Sequence, residues 1–245
     1  MATTGSAFAG KVILISGAGR KRGQGAAEAR KLVNQGASVL IGDICDSEGA
    51  QVASEIGVGC RYTHLDVTSE ADWQNALEVA ETMGQLCGLV NNAAIYRPKP
   101  LAETSSDEFN LHMQVNQYGV FLGMKAAAPI LTKHGGGSIV NVSSVAGLRG
   151  SPRAIAYCST KWAVRGMSKA AAVDLAKFNI RVNSIHPGPI GTDMIAAIPM
   201  ERRRRVPLGR EGSVDEVADL VCFLLADTSS YITGAEITID GGVAL

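Results

Sequence analysis

The chain has 245 residues, and its 23 Lys and Arg balance 23 Asp and Glu, so the formal net charge is zero. Phosphate affinity comes mainly from basic excess, so no nucleic-acid partner is expected. Hydrophobic residues at 46% and charged residues at 19% exclude disorder, and no apolar run reaches the roughly 18 residues that cross a bilayer.

Short β-branched runs alternate with longer amphipathic ones. Residues 12–15 read as a buried strand, followed at once by a glycine-rich turn. A helix is expected over 26–35, stopped by Gly36. Strand 38–41, helix 48–56, strand 61–65 and helix 70–83 follow, the last with Ser69 or Thr68 as N-cap. Strand 86–90 precedes a long helical region, 107–134. Strand 138–142, helix 154–178, strand 181–185, helix 214–226 and strand 236–239 complete the chain. The strands are almost wholly apolar, as when helices cover both faces of a parallel sheet. The expectation is one α/β domain over 1–245, a Rossmann fold with a doubly wound seven-stranded parallel sheet. The stretch 192–209, with Pro199, Pro207 and the run Arg202-Arg203-Arg204-Arg205, reads as a substrate flap.

Cys45, Cys60, Cys87, Cys158 and Cys222 are scattered, with no C-x-x-C pair, and the first apolar stretch has no basic region ahead of it. A cytoplasmic protein is expected, with no zinc site and no signal peptide. His64, His112, His134 and His186 are dispersed, so no metal site is expected.

Ser16-Gly17-Ala18-Gly19-Arg20-Lys21-Arg22-Gly23-Gln24-Gly25 lies between the first strand and the first helix. Glycines there let the backbone approach a pyrophosphate, and the helix N-terminus offers N–H groups to the anion. Asp43 ends the second strand, where its carboxylate can accept from the ribose hydroxyls of an adenosine.

These features, with others further on, resemble a short-chain dehydrogenase/reductase over essentially the whole chain. The glycine turn is similar to the family's T-G-x-x-x-G-x-G, with Ser16 for Thr and two extra residues near Lys21 and Arg22. Asn91-Asn92-Ala93-Ala94 resembles its N-N-A-G, and Tyr157-Cys158-Ser159-Thr160-Lys161 is its Y-x-x-x-K. Ser144 stands 13 residues before Tyr157, the family's interval. Pro187-Gly188-Pro189-Ile190-Gly191-Thr192 resembles the loop that meets the nicotinamide carboxamide. Segments 162–166 and 180–187 are similar to bacterial hydroxysteroid dehydrogenases.

The resemblance implies a nicotinamide cofactor held by Gly17, Arg20, Gly23, Gln24, Asp43, Asp66, Val67, Asn92, Ala93, Tyr157, Lys161, Pro187, Gly188, Ile190 and Thr192. NAD is expected, because Asp43 repels a 2′-phosphate; Arg20, Lys21 and Arg22 leave NADP possible. Hydride transfer to a ketone needs a proton donor at the developing alkoxide. Tyr157 and Lys161 are i and i+4 on one helix face, and a nearby ammonium lowers a phenol's pKa. Ser144 can steady charge on the substrate oxygen; Ser143 points the other way and competes for that role. By resemblance, Lys161 also holds the nicotinamide ribose, and Asn116 orders a water linking Lys161 to solvent. A secondary alcohol/ketone oxidoreductase is expected, on a hydroxysteroid or similar apolar ketone. A 3-oxoacyl-thioester reductase and a non-catalytic dinucleotide sensor are the alternatives. The resemblance also implies a homotetramer, pairing its two long helices across a two-fold axis.

Overall fold

The computed structural model describes residues 7–196, 201 and 206–245. Among them are strands β1 (Lys11–Ser16), β2 (Ser38–Asp43), β3 (Cys60–His64), β4 (Gln85–Asn91), β5 (Gly137–Val142), β6 (Ile180–Pro187) and β7 (Glu236–Ile239). The helices are α1 (Gln24–Asn34), α2 (Asp46–Ile56), α3 (Glu70–Met83), α4 (Ser106–His112), α5 (Gly119–Lys133), α6 (Ile155–Leu175) and α7 (Val214–Leu225). All seven strands join one parallel sheet in the order β3-β2-β1-β4-β5-β6-β7.

Successive strand residues face opposite sides, and β1 feeds two cores this way. Ile13 and Ile15 pack with Ala26, Ala29 and Leu32 of α1, Val52 of α2, and Val217 and Val221 of α7. Val12 and Leu14 pack with Trp73 and Leu77 of α3, Leu131 of α5 and Val164 of α6. Both faces are therefore covered, and the polar residues of the inner strands β5 and β6, among them Ser138, Asn141, Asn183, Ser184 and His186, are buried and hydrogen-bonded. The order reverses between β1 and β4, and in such sheets ligands bind beyond the strands' C-terminal ends at that point. No helix among the described residues is long and apolar enough to cross a membrane.

Two local details depart from the expected boundaries, and a third selects between the two expected caps of α3. The first helix starts at Gln24, with Gly23 as its N-cap, so the last glycine of the turn is already helical. Ser69, not Thr68, caps α3, accepting from the Asp72 N–H at 3.2 Å. The long helix expected over 107–134 is interrupted by a π-helical stretch, Met113–Tyr118, between α4 and α5. Asn116 lies in that stretch, and its amide pairs with both backbone groups of Ile95, at 2.8 and 2.9 Å. These bonds hold the widened turn against the loop after β4.

Candidate active site

A cavity of about 590 Å³ opens beyond the C-terminal ends of β1, β4, β5 and β6. Every residue expected to hold the cofactor lines it, and so do Ser144, Tyr157 and Lys161. Asn116 does not; it is fully buried behind the wall, touching Ile95 and Thr160.

The nucleotide end is shaped by missing side chains. Gly17 has φ +68°, and a Cβ there would stand 2.4 Å from the Ala93 Cα. A Cβ on Gly25 would strike Ala18 and the Asn92 amide, both at 2.8 Å. Asn92 ties the turn to β4 by donating to the carbonyls of Ser16 and Gly17, at 3.2 and 2.8 Å. The Ser16 hydroxyl accepts from the backbone N–H of Asn92 and Ala93, so it keeps the bonds a threonine would make. The α1 N-terminus has no side-chain cap and no carboxylate in its first turn, so its positive end remains available to an anion. Asp43 is held by the backbone N–H of Gly19 at 2.8 Å and of Cys45 at 3.1 Å. Asp66 turns one oxygen onto Thr68, and the Val67 carbonyl accepts from the Trp73 indole at 3.0 Å. At the far wall Gly188 lets β6 pass close to Asp240, which a Cβ would meet at 2.8 Å. Ile190 bridges to Gly212, and Thr192 folds back with its N–H on the Ile190 carbonyl. These residues fit a dinucleotide: a glycine cradle, an uncapped helix N-terminus and a fixed carboxylate.

The catalytic end is built from buried polar groups. Lys161 is 1% exposed, and its Nζ donates to the Val142 carbonyl at 2.8 Å. Burial pushes its ammonium down to about 7. Burial also pushes the Tyr157 phenol up to about 12, only partly offset by a hydrogen bond with Ser144. The expected lowering of the Tyr157 pKa by Lys161 is therefore overturned in this structure. Desolvation outweighs proximity, and the same burial strips Lys161 of part of its charge near neutral pH. The Ser144 hydroxyl faces Tyr157 and accepts from the Ala146 N–H at 3.1 Å. The Ser143 hydroxyl donates to the Lys161 carbonyl at 2.9 Å and is buried.

Three side chains at this site are not among the residues expected to form it. Tyr96 sets its ring edge-on to Tyr157, with centroids 4.9 Å apart. His186 hydrogen-bonds the Ser144 carbonyl at 3.1 Å through Nδ1 and the Ser184 hydroxyl at 3.0 Å through Nε2. Burial lowers its pKa, which favours the neutral ring. Glu28, wholly buried and pushed up to about 7, holds the Gln24 amide at 3.0 Å. Only Tyr96 had a signal, its position just after the Asn91–Ala94 motif. Arg202–Arg205 and Pro199 of the expected flap lie outside the described residues.

A family model described as enoyl-(acyl carrier protein) reductase matches residues 17–244. The trans-4-hydroxycyclohexanecarboxylate dehydrogenase of Sinomonas cyclohexanicum is 42% identical, over 99% of this chain and 96% of that protein. The 3-alpha-(or 20-beta)-hydroxysteroid dehydrogenase of Mycobacterium bovis is 45% identical, over 95% of this chain and 89% of that protein. Among solved structures, the 3-ketoacyl-(acyl-carrier-protein) reductase of Brucella melitensis, complexed with NADH, superposes with TM-score 0.92. It is 32% identical and covers 97% of this chain and 99% of that one. The chain belongs to the short-chain dehydrogenase/reductase family. It is an NAD(P)-dependent oxidoreductase of CH–OH groups.

Proposed function

We propose that the chain interconverts a secondary alcohol and its ketone on an apolar ring, with NAD as cofactor. The observation that carries this reading is that Ser144, Tyr157 and the buried Lys161, one helical turn beyond Tyr157, all line one cavity together with the nucleotide cradle. A bound nicotinamide supplies the hydride chemistry. Tyr157 gives or takes the proton at the substrate oxygen, and Ser144 steadies charge there. Lys161 binds the nicotinamide ribose and holds the proton path behind the phenol. Asn116 keeps that path in place from behind the wall. Ile95, Tyr96, Val145, Met194 and Ile195 continue the cavity as a mainly apolar surface suited to an alicyclic ring. The hydroxysteroid and hydroxycyclohexanecarboxylate relatives support the same substrate class. Thr192, Met194 and Ile195, the described start of the expected flap, belong to the cavity wall.

NAD is preferred because the two backbone N–H groups on Asp43 hold a negative charge at the adenosine end. Thioester reduction is the second reading, favoured by the likeness to the Brucella melitensis reductase. A panel of cyclic alcohols, hydroxysteroids and acetoacetyl-CoA, read by nicotinamide absorbance, tests the proposal. Turnover on ring alcohols is expected. Turnover confined to the thioester selects the second reading, and cofactor binding without any turnover makes the protein a sensor.

The chain works as a homotetramer in the cytoplasm under this proposal. Phe121, Trp162 and Val173, with Tyr118 just before α5, leave an apolar face of α5 and α6 exposed, which supports pairing of these helices across a two-fold axis. The five free cysteines suit a reducing compartment. Sedimentation at micromolar concentration showing a monomer overturns the assembly.

A further inference from the structure

Two basic residues of the lengthened glycine turn, Arg20 and Lys21, dock on α2. Arg20 Nη1 donates to Glu48 Oε2 at 2.7 Å, and the Lys21 backbone N–H donates to Glu48 Oε1 at 3.1 Å. Lys21 Nζ donates to Glu55 Oε1 at 2.7 Å. Glu48 and Glu55 are seven residues apart, so they lie on one side of α2, about two turns apart. Glu48 thus holds both a side chain and the backbone at the crest of the turn.

The pair matters because of where Arg20 stands. It lines the same end of the cavity as Asp43, and the two charges feel one another. A free guanidinium there would be the natural partner of a phosphate on the adenosine ribose, by bidentate charge-assisted hydrogen bonds. With Glu48 on it, that guanidinium is already paired and is turned onto the helix. Asp43 then faces the ribose beside a base whose hydrogen bonds are already committed to Glu48.

We infer that Glu48 is a specificity-determining residue, which disfavours NADP by holding Arg20 on α2. The inference rests on the proposed NAD preference and adds a second cause to it. Asp43 repels the 2′-phosphate, and Glu48 withholds the base that would attract it. The sequence motif shows basic residues in the turn; only the fold shows that their charge is engaged elsewhere.

Calorimetric titration of NAD+ and NADP+ tests this on the wild type, Glu48→Ala, Arg20→Ala, the double variant and Glu55→Ala. Both glutamates are solvent-accessible helix residues, where Ala is well tolerated. Glu48→Ala is expected to tighten NADP+ by about fivefold, the whole worth of a good surface ion pair, and to leave NAD+ within about twofold. The gain should vanish when Arg20 is also Ala, since the released guanidinium is its cause. Glu55→Ala removes the same charge but frees Lys21 instead, and should yield less than about half the gain on the same free-energy scale. An unchanged NADP+ affinity in Glu48→Ala overturns the inference. So does a gain that survives in the double variant, which would assign it to charge removal alone. A wild type that binds NADP+ more tightly overturns the NAD reading but leaves the Glu48 comparison standing, since that is read relative to the wild type.

Discussion

The two ends of the cavity are built by opposite means. At the nucleotide end the shape comes from absent side chains, Gly17 and Gly25, and from backbone groups on Asp43 and Asn92. Its charged side chains, Arg20 and Lys21, are solvent-exposed and paired with exposed carboxylates. At the catalytic end Lys161, Ser143 and His186 are buried, and each polar group has an identifiable partner. Solvent screening makes surface pairs weak, whereas burial makes both partners and pKa values expensive to disturb. Cofactor preference should therefore respond gradually to substitution, and proton transfer abruptly.

The largest test falls on the abrupt side. Tyr157→Phe should reduce turnover by about 10³-fold, within the range of general acid–base catalysis, and leave cofactor binding nearly intact in a titration. In the wild type, burial holds the phenol at about 12. Alcohol oxidation needs the phenolate, so its kcat/KM should rise toward alkaline pH, while ketone reduction, which needs the phenol, should stay level until the pH nears that value. Identical profiles in both directions, with chemistry limiting, would remove Tyr157 from the role.

Ser144→Ala should cost about 10²-fold in kcat, as for one lost oxyanion-type donor. Ser143→Ala should keep its kcat but lose about 1 kcal/mol of stability with the bond to the Lys161 carbonyl. Steady-state rates and melting curves of the two variants separate the roles, and the reverse pattern would assign the donor to Ser143.

The gradual side is tested at Asp43. Two unit charges about 5 Å apart at an effective dielectric near 20 interact by roughly 3 kcal/mol, an upper bound at this exposed rim. A wild-type preference for NAD of at least about tenfold in kcat/KM is expected. Asp43→Asn keeps an acceptor for one of the N–H groups of Gly19 and Cys45 and should narrow the preference. An unchanged ratio would detach Asp43 from cofactor choice.

The smallest effect sharpens the comparison from the stability side. Lys161 sits at about 7 in the fold, against about 10.4 in an unfolded chain. Between those values the unfolded state binds the extra proton, so stability falls as pH drops from about 10 to about 7 and is level below. Lys161→Met abolishes turnover yet should gain on the order of 1 kcal/mol at neutral pH, after losing the Nζ bond to Val142. The gain should fade toward pH 10 in denaturant titrations. A gain independent of pH would mean that Lys161 is not shifted.

The alternation of strands and helices was legible because both sheet faces are buried, which leaves apolar runs at β1 and β2 above all. The residues lining the cavity were legible from motifs whose spacing survives in the chain. What was hidden depends on partners distant in sequence. The π-helical stretch answers to Ile95, which lies outside the helix. Glu28 sits in an alanine-rich helix, and nothing local shows that it is sealed between layers. The pKa of Tyr157 failed as an expectation because i,i+4 spacing reports proximity to Lys161 and is silent about desolvation. The lengthened, basic turn was visible, but the docking of Arg20 and Lys21 on α2 was not.

Every strand pairing in this sheet is parallel, and that bears on how the molecule comes into being. A parallel pair cannot be closed by a hairpin, so no ladder forms from neighbouring residues alone. The central pairing, β1 with β4, joins Lys11 to Gln85, and β7 is added only from the far end of the chain. Loop-closure entropy must be met before these contacts return anything, which slows folding and raises contact order. During synthesis β1 can meet β2 first, but its other edge waits for β4. The catalytic wall, made by β5, α6 and β6, can assemble only once more than two thirds of the chain has emerged.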